Sequence, residues 1–234
     1  MDFASPRFVG DQHLLDILND PDTGTVKLGP SSPSDSIQKV QKALDDLFWP
    51  KQTEPPIVVA NFADGIWGQN TETTILAYKF TFRLRFPPGS STSILDGFAG
   101  PRTMALLDMH IVAFDAAVSA IDARIAELLG SGMVITELSR TGLLTRTRIT
   151  LRRVTVDGVN AALFHHPNFG AFLVRTPILE TYTDRFHVFG APLDDEHDGP
   201  DGTREVNFQS GQIQAEPSTG AVFTGGQSDP DLVF

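Results

Sequence analysis

Apolar side chains recur at helical spacing through the first half of the chain and at strand spacing through the second. The sharpest helical run is Ser36 to Phe48, where Ile37, Val40, Leu44, Leu47 and Phe48 share a face and Lys39, Lys42, Asp45 and Asp46 lie elsewhere. A shorter helix is predicted over 8–20 from Phe8, Leu14, Leu15, Ile17 and Leu18, with Asp11 as N-cap and Pro21-Asp22-Thr23-Gly24 as its stop. Met104 to Leu129 reads as one long helix, ended by Gly130-Ser131-Gly132. Its continuous apolar face is Leu107, Ile111, Phe114, Val118, Ile121, Ile125 and Leu128. Residues 49 to 63, with Pro55-Pro56, read as an extended loop. Tyr78, Phe80, Phe82, Leu84 and Phe86 alternate with Lys79, Thr81, Arg83 and Arg85, a pattern that locally favours a strand. Beyond residue 133, strands are expected around 146–156, 161–165, 171–175, 204–208 and 211–215.

Two internal repeats punctuate this pattern. Asp64-Gly65-Ile66-Trp67-Gly68-Gln69-Asn70-Thr71 returns as Asp96-Gly97-Phe98-Ala99-Gly100-Pro101-Arg102-Thr103. Asp-Gly suits a tight turn because glycine tolerates positive φ. Asn70 or Thr71 is expected to cap a following helix with Glu72 in its first turn, and Pro101 suits a first helical turn. In the second half, Pro167-Asn168-Phe169-Gly170-Ala171 is echoed from 167 to 217, an offset of 50 residues, by Pro217-Ser218-Thr219-Gly220-Ala221. Leu163 and Ile213 stand at matching places upstream, as in repeated β architectures.

The doubled turn, each copy followed by Gly-x-x-Thr and a helix, and preceded by Val40-Gln41-Lys42-Ala43-Leu44, resembles the peptidoglycan-binding-domain-like family over about residues 26–108. That resemblance implies a small three-helix bundle with a shallow cleft for cell-wall peptide and glycan, and a helix at 71–84 in place of the strand the alternation favours. Tertiary context often overrides local pattern, and the helix is expected. The ligand-binding candidates it implies are Asp64, Gly65, Trp67, Gln69, Asp96 and Gly97. The Phe8-Val9-Gly10-Asp11 lead-in resembles a subgroup found beside phage-tail-like contractile injection systems. The region from about 160 to 226 resembles the LGFP repeat of cell-wall-associated proteins. It does so through Ile178, Tyr182, Phe189-Gly190-Ala191-Pro192-Leu193, Asp195-Glu196, Asp201-Gly202, Arg204, Phe208, Gly211, Ile213, Pro217 and Gly220-Ala221.

Charge and composition narrow the chemistry. The net charge of -11 makes nucleic acid a poor partner. The absence of cysteine removes disulfides, thiolate nucleophiles and Cys-type zinc sites. No apolar run approaches the ~20 residues of a membrane span, and none is expected. Met1 to Arg7 lack an apolar core behind a basic segment, so no secretory signal is expected. The expectation is synthesis in the cytoplasm, with release or assembly into a particle bringing the protein to a wall.

Histidines at 13, 110, 165, 166, 187 and 197 include no His-Glu-x-x-His and no i, i+4 pair. His165-His166 falls on a predicted strand, one ring expected inside and one outside. Asp194, Asp195, Glu196, Asp198 and Asp201 offer oxygens for a calcium ion as a minority reading; a solvated acidic turn is the commoner role. Trp67 is weighed between ligand contact and a plug beneath the turn, with the plug preferred.

The expected class is α+β. A peptidoglycan-binding-like helical domain takes 1–108, a long connecting helix 109–132, and a β-rich LGFP-like region 133–234. The expected function is non-catalytic binding of peptidoglycan or associated wall glycan, with no cofactor. The alternative is a structural or adaptor subunit of a contractile injection particle, using the same fold against particle proteins.

Overall fold

The computed structural model describes residues 1–20, 26–48, 62–84, 96–144, 148–216, 218–220 and 222–225, without the side chain of Asp201. The Pro21–Gly24 stop, most of the 49–63 loop, residues 85–86 of the alternating run, and Pro217 and Ala221 of the second repeat lie outside the described residues. The chain is mixed α+β and divides into two compact units, Met1–Asp115 and Ala116–Phe234. The boundary falls inside one long helix.

In the first unit, α1 is Gln12–Asn19, α2 is Ser34–Leu47, α3 is Gln69–Thr81, and α4 begins at Pro101 and runs to Gly130. Asp11 caps α1 as expected, its carboxylate accepting the Leu14 amide at 3.1 Å. The same carboxylate accepts from Ser36 Oγ and from Lys39 Nζ at 3.0 Å, which ties α1 to α2. Burial pushes its pKa up, but these three partners together hold it below the ordinary carboxylate value. Leu14, Ile17, Val40, Leu44, Ile75 and Tyr78 are fully enclosed in the core.

The alternating segment is helical. Thr71, Thr74, Ile75 and Tyr78 are buried at i, i+3, i+4 and i+7, while Phe80 is left 67% exposed. A strand there would have put Tyr78 and Phe80 on one face. Arg83, at φ 54, ends the helix: Leu84 N–H reaches Lys79 O at 2.8 Å and Arg83 N–H reaches Phe80 O at 3.3 Å. The N-terminus differs from expectation. Gly68 occupies the N-cap position, so Asn70 and Thr71 sit inside the first turn.

Among the described residues, the second unit holds the last part of α4, two antiparallel sheets, one further α-helix and a single 3-10 turn at Pro200–Gly202. The first sheet comprises β1 (Ile135–Glu137), β2 (Gly142–Leu143), β3 (Thr150–Val156), β4 (Val159–His166) and β5 (Gly170–Arg175). Its order is β1-β3-β4-β5, with β2 also on β3. Asp157-Gly158 makes the two-residue β3–β4 turn, both at positive φ (53° and 81°), as a type I′ turn requires. Then comes α5 (Ile178–Phe189), which the sequence pattern did not separate from its β surroundings. The second sheet is a meander of β6 (His197–Asp198), β7 (Arg204–Phe208), β8 (Gly211–Ala215) and β9 (Val222–Gly225). Pro167–Phe169 connect β4 to β5, where His166 pairs with Gly170, and the described part of the second motif, Ser218–Gly220, lies in the longer connection from β8 to β9, where Ala215 pairs with Val222.

Both faces of the first sheet are covered. Val154, Val156, Ala161, Leu163 and Leu173 pack on Ile121, Ile125 and Leu128 of α4. Leu151, Ala162, Phe164 and Val174 pack on Ile178, Leu179 and Tyr182 of α5, which also meets Val206 and Ile213 of the second sheet. Consequently His165 and His166 are both buried, at 9% exposure each, where one exposed ring was expected. Neighbours on a strand do point to opposite faces, but here neither face meets water. Taken as a whole, α4 is also long and apolar enough to cross a bilayer by length and composition alone, although its Asp and Arg residues divide it into shorter apolar runs; a core helix can pass the same test.

Candidate binding site at the paired Asp-Gly turns

The first turn is organised by a residue that α2 buries. Gln41 lies one helical turn from Ile37 and Leu44, on the core face, and is 1% exposed. A buried amide needs partners on both its atoms. Its Oε1 accepts the Gly65 amide at 2.8 Å, and its Nε2 donates to Asp64 Oδ1, Ile66 O and Thr71 Oγ1 at 3.0–3.1 Å. Ser34 Oγ donates to Gly65 O and Gln38 Nε2 to Ala63 O, completing the seat of the turn on the N-terminal half of α2. Asp64 Oδ1 also accepts the Ile66 amide at 2.8 Å, and that bond, with Gln41, lowers the exposed carboxyl's pKa.

The second turn is held differently. Leu28 and Ala99 exchange backbone hydrogen bonds as an isolated antiparallel bridge. Asp96 Oδ1 pairs with the buried Lys79 of α3 at 2.7 Å, and Lys27 approaches Asp96 Oδ2 at 3.6 Å. Burial raises the Asp96 pKa and the two lysines more than reverse it.

The two glycines answer different needs. Gly65 sits at φ 76, and a Cβ there would collide with Ser34 Oγ. Gly97 is not at positive φ. Its Cβ would lie 2.8 Å from Glu72 Cβ, so the second glycine is required by close approach of α3 rather than by turn conformation.

The turns meet through their aromatic residues. Trp67 stacks on Phe98, ring centroids 5.8 Å apart and planes within 11°. Trp67 Nε1 donates to Glu72 Oε1 at 3.0 Å, and the Lys27 ammonium stands 4.0 Å from the Phe98 centroid. Trp67 and Phe98 are each partly exposed, and Asp64 and Gln69 are exposed beside them. Of the six candidates, Asp64, Gly65, Asp96 and Gly97 thus act first as scaffold, Trp67 is half in and half out, and Gln69 projects from the first residue of α3. Phe98, Gln41, Lys27 and Lys79, outside the six candidates, also build the site. Gln41 was detectable in principle, as a polar residue at core spacing between Ile37 and Leu44. A cavity of about 180 Å³ elsewhere in this unit is lined by Phe3, Phe8, Val9 and Leu15 and by none of the turn residues.

The acidic segment at 194–198 serves as a clasp. Asp194 accepts from the Asn207 amide and side chain. Asp195 accepts the Leu173 amide at 2.7 Å and pairs with Arg124. Glu196 accepts the Arg175 amide at 3.2 Å and pairs with Arg204, which also takes Asp198. Among the described residues no group of three or more His, Asp or Glu side chains is placed to share a metal ion.

His110 shares a 2.9 Å hydrogen bond with Tyr78, and its ring centroid lies 4.2 Å from that of Phe82. Burial pushes its pKa down to about 4.

The sequence matches no protein-family model, and no curated protein matches it.

Proposed function

We propose that this chain binds bacterial cell-wall polymer without cutting it. The first unit would act as a three-helix peptidoglycan-binding-like module and the β-rich unit as an LGFP-like wall-associated region. The supporting observation is the Trp67–Phe98 stack, which joins the two Asp-Gly turns into one partly exposed aromatic surface flanked by polar side chains. Such a surface suits a polymer whose sugar rings offer apolar faces and whose substituents offer hydrogen bonds. The carboxylates nearby are committed to amides, an indole or lysines, which suits holding a ligand better than protonating one.

Sedimentation with purified sacculi tests the reading. The chain is expected to co-sediment, and Trp67→Ala to reduce retention. Loss of sacculus turbidity would refute non-catalytic binding. Failure to sediment, with a defined oligomer in solution, would favour the particle-subunit alternative.

A further inference from the structure

We infer that the paired-turn surface takes an uncharged sugar ring of the wall glycan, stacked on Trp67, in preference to the charged peptide stem. This inference rests on the wall-binding proposal and narrows its ligand. Both lysines of the site already face Asp96, so neither stands ready for a peptide carboxylate. Glu72 receives the indole N–H, and Asp64 receives the Ile66 amide and the Gln41 side chain. The chain as a whole carries -11, which repels anionic stems and phosphate-bearing wall polymers alike.

The site's remaining resource is a flat apolar one. Trp67 is fixed at its nitrogen by Glu72 and along one side by Phe98, so little rotational freedom is lost when a ring settles on it. The C–H face of a pyranose matches the aromatic surface that the partly exposed Trp67 and Phe98 present, and the exposed Gln69 amide offers both a donor and an acceptor for hydroxyl or acetamido groups.

The full chain carrying Trp49→Phe leaves Trp67 as the sole tryptophan reporter. Two probes are titrated: an N-acetylglucosamine tetramer and a synthetic stem tetrapeptide with free carboxylates. The tetramer is expected to change Trp67 fluorescence saturably, with little change in Kd from about 0.05 to about 0.5 M salt. Trp67→Ala, followed by calorimetry, should weaken it roughly tenfold, and Trp67→Phe, which keeps a ring against Phe98, should weaken it less. Urea unfolding confirms that each variant is folded. Stem-peptide binding with strong salt dependence, or tetramer binding indifferent to Trp67→Ala, overturns the inference. If sacculi retain the chain while the tetramer leaves Trp67 unchanged, the sugar assignment fails and wall binding stands. If sacculi do not retain it, both fail.

Discussion

Replacing Gln41 by leucine tests whether one buried amide organises the first Asp-Gly turn. The volume is nearly conserved, so packing changes little, but four hydrogen bonds disappear. Their losses are unequal. Asp64 is exposed and turns to water, and Ile66 O keeps the Thr71 hydroxyl at 3.3 Å. The Gly65 amide is left buried without its acceptor, which costs about 1–3 kcal/mol, and the remaining bonds add about 0.5–1.5 kcal/mol between them. The expected total is about 2–4 kcal/mol. Urea unfolding followed by Trp67 fluorescence, in a chain carrying Trp49→Phe, reads this directly, because Trp67 belongs to the first unit. With an m-value of about 1.5 kcal/mol/M, the midpoint should fall by about 1.3–2.7 M. Gln41→Glu supplies the control: the shape is kept, but a carboxylate now faces Asp64 Oδ1 and Ile66 O. It should be worse than leucine at neutral pH. A loss below about 0.5 kcal/mol for Gln41→Leu, or a glutamate variant as stable as the parent, would refute the assignment.

Gly97→Ala should destabilise the first unit although its φ is not positive, because the new methyl meets Glu72 Cβ; in a Glu72→Gly background, which removes that Cβ, the same substitution should cost less, and an equal cost in both backgrounds would disprove the contact. Asp11 has a lowered pKa in the fold, so its contribution is present above the ordinary carboxylate range and is lost as pH falls through it. Asp11→Asn should therefore lower stability at pH 7 and flatten the acid side of the stability–pH curve. His110 is neutral in the fold down to about pH 4, so the unfolded chain takes up a proton first as pH falls below about 6.5. That contribution is complete above pH 6.5 and declines towards pH 4; in His110→Gln this part of the slope should vanish, and a direct NMR titration of the ring should find it neutral at pH 5.5.

The helices of the first unit were legible where one face alone met the core, as in α1, α2 and α4. At α3 the local alternation pointed to a strand, and only the surrounding turns indicated a helix. The conflict has a concrete cause: Phe80 is an aromatic residue spent on the surface. In the second unit the main strands were legible, but α5 was not, since Ile178, Leu179 and Tyr182 sit among β-rich neighbours. The two histidines were misjudged because alternation reveals which face a residue takes, not what covers that face. The candidate site was legible as two turns. Their union through Trp67 and Phe98 depends on distant segments meeting, and the second glycine's spatial role depends on α3 lying across it.

The clasp at 194–198 bears on how the β-rich unit can be cut. Asp195 and Glu196 occupy the outward amides of Leu173 and Arg175, and the Glu196 amide returns to Leu173 O. The last strand of the first sheet is thus closed by residues that follow α5 and lead into the second sheet, like bricks laid across a joint. A fragment stopping after α5 would keep every strand of the first sheet and yet expose its border as a template for another chain. The repeat visible in sequence is therefore not the unit of independent folding. Expression boundaries set after α5 should yield self-associating material, whereas boundaries carried past Gly225, which keep β7 paired with β8 and β9, should not.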